Sequence, residues 1–151
     1  ATATVAASDL FEAIAVEAPK RINEFNPQEM ANTVWAFATA TVAAPDLFEA
    51  IAAEASTRLV DFNPQDMANT VWAFATATVA APDLFEAIAV EASTRLVDFN
   101  PQDMANTVWA FATATVAASD LFEAIAVEAP KRINEFNSQE MVNTVWAFAC
   151  A

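Results

Sequence analysis

The residues able to do chemistry here are few. The 151-residue chain has no histidine, tyrosine or glycine and one cysteine, Cys150, so a Cys/His zinc site, a disulfide framework and a His-assisted nucleophile all lack their parts. Carboxylates, amides and indoles remain. The carboxylates fall where a helix start would use them: Asp46 is placed as an N-cap with Glu49 three residues on, and Asp9/Glu12, Asp83/Glu86 and Asp120/Glu123 repeat the pair. No Asp-rich loop with a glycine turn is present for Ca²⁺ or Mg²⁺. The expectation is a non-enzyme with no catalytic residues, no metal and no cofactor. The amides are more suggestive, since Gln28, Gln65, Gln102 and Gln139 each precede Asn32, Asn69, Asn106 and Asn143 by four residues, which puts each pair on one helical face. One such pair per unit is how some RNA-binding helical repeats read one base per unit. The competing role is hydrogen bonding to the backbone of an adjacent unit. The indoles Trp35, Trp72, Trp109 and Trp146 each lie between a valine and an alanine in an apolar stripe. With Phe25, Phe62, Phe99 and Phe136 they are expected in the structural core rather than as platforms for bases.

These groups recur because the chain is one unit repeated. The stretch FNPQDMANTVWAFAT, Phe62 to Thr76, has four versions opening at Phe25, Phe62, Phe99 and Phe136, a constant step of 37 residues. A period of this size marks a solenoid in which each unit buries one face against the next. The units are residues 1–37, 38–74, 75–111 and 112–148, with 149–151 opening a fifth. Leu10, Phe11, Trp146 and Phe148 keep the interior pattern at both ends, so the chain is expected to be a slice of a longer array. The expected fold is all-α: a right-handed α-solenoid of four helix-turn-helix repeats.

Within the second unit the first helix is expected from Leu47 to about Asp61. Leu47, Phe48, Ile51, Ala52, Ala55, Leu59 and Phe62 form its apolar face, opposite Glu49, Glu54, Arg58 and Asp61. Pro19 and Pro130 stand where the inner units have Ser56 and Ser93, which predicts a kink or break in the first and fourth units. The second helix has Asn63 as N-cap, Pro64 at its first position, Asp66 at its third, and Phe62 stapled to Met67. It is expected to run to about Val79. One apolar stripe holds Met67, Val71, Phe74 and Ala75 and a neighbouring one Ala68, Trp72 and Val79, implying two packing partners.

Net charge is −14, with the acids spread evenly over the units. Such a field repels phosphate backbones and anionic membrane surfaces, so DNA is excluded and RNA disfavoured. No run approaches the roughly 20 apolar residues of a membrane span. A 56% hydrophobic composition leaves small apolar side chains on the surface, as at an interface with protein.

Read as a whole, LFEAIAVEASTRLVDF followed by NPQDMANTVWAFAT resembles the octotricopeptide repeats, and the closely similar heptatricopeptide repeats, of algae and protists. Arg58-Leu59, Phe62, Pro64-Gln65, Met67-Ala68-Asn69 and Trp72-Ala73-Phe74-Ala75 occupy the places of that pattern. The resemblance implies an α-solenoid of chloroplasts, or alternatively mitochondria, acting on organelle RNA. Charge and the uniformity of the Gln and Asn positions, which could read at most a homopolymer, favour a different function. The expectation is a non-catalytic scaffold docking on protein partners, as an accessory subunit of a photosynthetic or respiratory complex. The alternative is organelle RNA binding in RNA processing, stability or translation, with the amide row as reading face.

Overall fold

A computed structural model describes residues 4–151, with side chains from Ala7 onward. Among the described residues there are eight α-helices and no strand: α1 (Thr4–Glu17), α2 (Pro27–Ala40), α3 (Pro45–Ser56), α4 (Pro64–Ala77), α5 (Pro82–Ser93), α6 (Pro101–Thr113), α7 (Ser119–Lys131) and α8 (Ser138–Cys150). A short 3-10 segment joins the two helices of each unit. The even-numbered helices pack on one another far more extensively than the odd-numbered ones do. A stack packed more tightly in one layer curves toward it, so α2, α4, α6 and α8 form the inner layer of an all-helical solenoid. Among the described residues no helix is long and apolar enough to cross a membrane.

The inner helices start as their sequence dictates. Asp66 N donates to Asn63 Oδ1 at 2.7 Å while Asn63 N donates to Asp66 Oδ2 at 3.2 Å, a reciprocal capping box. Asn26 with Glu29, Asn100 with Asp103 and Asn137 with Glu140 do the same. Pro27, Pro64 and Pro101 fill the first helical position, where a missing N–H costs nothing; Ser138 takes it in the fourth unit. In the inner units the acid of this box, Asp66 or Asp103, is buried. Desolvation pushes the Asp66 and Asp103 carboxyls above the usual carboxylate range, against the opposing pull of the Asn63 and Asn100 backbone N–H groups.

The outer helices depart from expectation at both ends. The N-caps are Ala44, Ala81 and Ala118 without a side-chain cap bond, so Asp46, Asp83 and Asp120 are not N-caps, and Asp9 lies inside α1. Proline supplies the reason in α3 and α5: Pro45 and Pro82 have their φ preset for the first helical position, and this moves the start two residues upstream. The acids then sit in the first turn, where the helix dipole favours negative charge. At the other end, the outer helix stops short of Asp61 because Arg58 leaves helical geometry at φ −128°, ψ 18°. Arg21, Arg95 and Arg132 break in the same way, so the break belongs to every unit and not to Pro19 and Pro130. Pro130 falls in the last turn of α7, where little helix remains to disrupt.

The break places each arginine at a joint. Arg58 and Arg95 pair with Glu54 and Glu91 at 3.3 Å, and Arg132 with Glu128 at 3.9 Å. Arg95 Nη1 donates to Leu59 O at 3.4 Å, and Arg132 Nη1 to Leu96 O at 3.5 Å, each reaching the preceding unit. Between the layers, Phe48 meets Phe74 and Phe85 meets Phe111 edge to face, both at 5.0 Å. Phe62, Phe99 and Phe136 are buried, while Phe25, at the end of the stack, is half-buried.

In the first three units the helix C-terminus is closed by a residue ill suited to it. Thr41, Thr78 and Thr115 have φ of 55°, 59° and 54°, so α4 ends at Ala77 rather than Val79. Thr78 N donates to Ala75 O at 3.2 Å and Val79 N to Phe74 O at 3.0 Å, the Schellman arrangement that usually employs glycine. A β-branched side chain in left-handed geometry costs about 1–2 kcal/mol. Thr78→Gly is therefore expected to stabilise the protein by about 1 kcal/mol after glycine's greater unfolded-state entropy is subtracted. Urea unfolding measures it, and a loss of stability would mean that the threonine side chain makes contacts outweighing the strain.

Candidate nucleic-acid interface

Gln65, Asn69, Trp72 and Thr76 follow one another at steps of four, three and four, which aligns them in a single stripe along α4. Gln65 and Thr76 are exposed; Asn69 and Trp72 are half-buried. Met67, Val71 and Phe74 point the other way into the core. Since the inner helices lie side by side, the stripes of α2, α4, α6 and α8 make one surface on the concave side. Gln28, Asn32 and Trp35 are all exposed on α2; Gln102 is exposed and Asn106 and Trp109 half-buried on α6; Gln139 and Trp146 are exposed and Asn143 half-buried on α8.

The tryptophans expected in the core divide: Trp72 and Trp109 are half-buried and pack against it, while Trp35 and Trp146, in the first and fourth units, are 44% and 45% exposed. The space between adjacent inner helices is too narrow for an indole: Ala68, Thr70 and Ala73 fill it, all fully buried. The rings stack on one another instead. Trp35 and Trp72 have centroids 6.3 Å apart at 29°, and Trp72 and Trp109 6.4 Å apart at 28°. Offset stacking of this kind gives a continuous π surface crossing three units. The signal for it was the polar residue on either side of each tryptophan in the stripe, Asn69 and Thr76 around Trp72.

Beside the rings run the amides. Gln139 Nε2 donates to Asn143 Oδ1 at 3.3 Å. Among the described residues the side-chain bonds that reach the backbone of a neighbouring unit come from Arg95 and Arg132 and from none of the eight amides.

Charge is segregated by layer. Of the twenty acids only Glu29, Asp66, Asp103 and Glu140 lie on inner helices, each tied into a capping box at the helix start. All six bases lie at the ends of the outer helices or in the turns after them, where Arg21 pairs with Glu24 at 3.2 Å and the other arginines hold the joints. The even spread of acids along the sequence thus hides an inner layer with four acids, all at the helix starts, and no base. Its concave face offers flat rings for stacking and amides for hydrogen bonding. It is the chemistry of single-strand base binding without the usual cationic groove.

The family model described as "RNA-editing substrate-binding complex 6 protein" matches residues 3–151. No curated protein matches the chain. The family finding corrects the resemblance to octotricopeptide and heptatricopeptide repeats, whose shared residues, Phe62, Pro64 and Trp72-Ala73-Phe74 among them, largely serve a tight helical hairpin and its stacking. The chloroplast assignment rested on that resemblance and the photosynthetic or respiratory scaffold on charge and apolar composition, and the RNA-editing family overturns both. With its match extending over nearly every residue, the chain belongs to the RNA-editing substrate-binding complex 6 protein family.

Proposed function

We propose that this chain is a non-catalytic RNA-binding subunit of an RNA-editing complex in the mitochondrion, holding single-stranded RNA by its bases on the concave indole and amide face. The stacked tryptophan row is the observation that carries this reading, because indoles repeated along one face suit bases of any kind. The family supplies the setting, a complex that binds an RNA-editing substrate. Bases laid on the rings bring their edges to the Gln and Asn side chains, while the phosphates turn toward solvent, away from a surface that has no cation for them. The rungs are alike, so the face reads composition and not sequence. Asn and Gln match the N6 and N7 atoms of adenine, and adenine-rich strands are favoured.

Fluorescence anisotropy with short labelled oligo(A), oligo(C) and oligo(U) across a salt series tests this. Oligo(A) is expected to bind tightest, with a log–log salt dependence far shallower than the roughly 0.7 per neutralised phosphate of single-strand binding through cations. Absence of binding to all three, or a steep salt slope, would refute recognition by this face.

A further inference from the structure

Two hollows open between α3 and α5 on the outer layer, one of about 520 Å³ toward the start of α5 and one of about 540 Å³ where α3 gives way to its 3-10 segment. Ser56 and Asp83 line both, so the two run together as one furrow. Small side chains, Ala52, Ala53 and Ala87, make room for it. Val60 and Val90 line it too and are 74% and 66% exposed, although units of the array lie on both sides of them. Single surface valines need no account, but a pair lining one hollow forms an apolar patch of the kind that marks an interface. Acids stand beside the patch. Glu49, Asp83 and Glu86 line the furrow, are exposed, and among the described residues form no ion pair, whereas Glu91 is taken up by Arg95 at 3.3 Å. One unit further on, Val97, Val127, Asp120 and Glu123 hold the corresponding places, with the valines 76% and 61% exposed. The first and fourth units differ at this edge: Lys20 and Asn23, and Lys131 and Asn134, stand where the second and third have Thr57 and Val60, and Thr94 and Val97. The edge that is both apolar and free of lysine thus belongs to the second and third units.

We propose that this furrow binds a short basic and apolar segment of a protein partner, whose Lys or Arg side chains meet Glu49, Asp83 and Glu86 while its apolar side chains cover Val60 and Val90. Charge complementarity selects the occupant. Unpaired carboxylates repel phosphate, which rules against a nucleic-acid strand or an anionic membrane surface in the same place. A second copy of the chain fits poorly as well, because it carries a charge of −14 and its arginines are already in ion pairs. The charges steer the segment and fix its register, and the apolar contact holds it. Since the furrow lies on the outer layer, it is separate from the indole and amide face, and the proposal stands whether or not RNA binds there.

Fluorescence anisotropy with short labelled peptides composed of Lys and Leu, of Lys and Ser, and of Glu and Leu tests it. The Lys/Leu peptide is expected to bind the wild-type chain, the Lys/Ser peptide to bind at least about tenfold more weakly for want of apolar contact, and the Glu/Leu peptide not to bind. Val60→Ser combined with Val90→Ser leaves the net charge unchanged and is expected to weaken the Lys/Leu peptide about tenfold, which general attraction to an acidic protein does not explain. Asp83→Asn combined with Glu86→Gln is expected to weaken it as well and to flatten its salt dependence. These positions are exposed, circular dichroism establishes that the variants fold, and Val60→Thr with Val90→Thr replaces the serine pair if that does not. No binding of the Lys/Leu peptide, equal affinity for the wild-type chain and the folded valine variant, or displacement of that peptide by oligo(A) would overturn the furrow as a docking site for a basic, apolar segment.

Discussion

Alanine at Trp72 and Trp109 together is expected to weaken binding of oligo(A) by at least about 30-fold. Loss of an aromatic platform costs about 1–3 kcal/mol per base, and two platforms cost about 2 kcal/mol at the lower bound, with 1.4 kcal/mol equal to a factor of ten. The effect on folding is smaller. Both rings sit at the edge of the core, and the double variant removes the two stacks at 6.3 and 6.4 Å, each worth about 0.5–1.5 kcal/mol beyond buried area. A fully buried aromatic would cost about 3–5 kcal/mol for each alanine. The outcome therefore separates the two roles that the sequence left open for these residues. Anisotropy gives the affinity and thermal melting the stability. Affinity lost while the protein still melts cooperatively assigns the rings to binding. Affinity retained by a destabilised protein would assign them to packing and remove the concave face as the RNA site. Trp72→Phe is expected to recover part of the binding, because it keeps a stacking plane.

What the sequence disclosed depended on how many local signals agreed. In Phe62-Asn63-Pro64-Gln65-Asp66 the staple, the cap, the first-turn proline and the capping-box acid all specify one helix start, and the structure forms it in that register. At Pro45-Asp46 two valid starts lie two residues apart, and the proline prevails over the aspartate cap. The break at Arg58 carries no local mark, since arginine is a good helix former. Its counterparts Arg95 and Arg132 make bonds to the unit before them, but Arg21 breaks at nearly the same angles without one, so those bonds use the break and do not cause it. The exposure of Trp35 and Trp146 is hidden in the sequence because alanine is abundant on every side of the inner helices and makes each stripe look apolar. Charge was misjudged for a related reason: summed unit by unit the acids are uniform, and only the layering of the helices keeps most of them off the inner layer. The compartment was unreadable from residues that serve a hairpin.

Phe74→Ala is expected to cost about 3–5 kcal/mol, a large part of the 5–15 kcal/mol that holds an ordinary domain together. Phe74 is fully buried, meets Phe48 edge to face at 5.0 Å, and offers the carbonyl that closes the C-terminus of α4 through Val79 N at 3.0 Å. The position in the array matters as much as the contacts. A solenoid unit touches only its neighbours, so a void in the second unit weakens its joints with both the first and the third, and fewer than three intact units do not hold a stable stack. A single cooperative transition displaced downward by roughly 6–20 °C follows, at about 2–4 °C per kcal/mol for a chain of this size. Phe148 occupies the same position in the fourth unit, pairs with Phe122 at 4.9 Å, and is half-buried. Phe148→Ala is expected to cost about half as much, since it removes less buried surface and faces one joint instead of two. Thermal melting of the two variants measures the difference. Equal losses would mean that the end unit bears the same load as an inner one, and stability would then not be distributed along the array by nearest-neighbour joints.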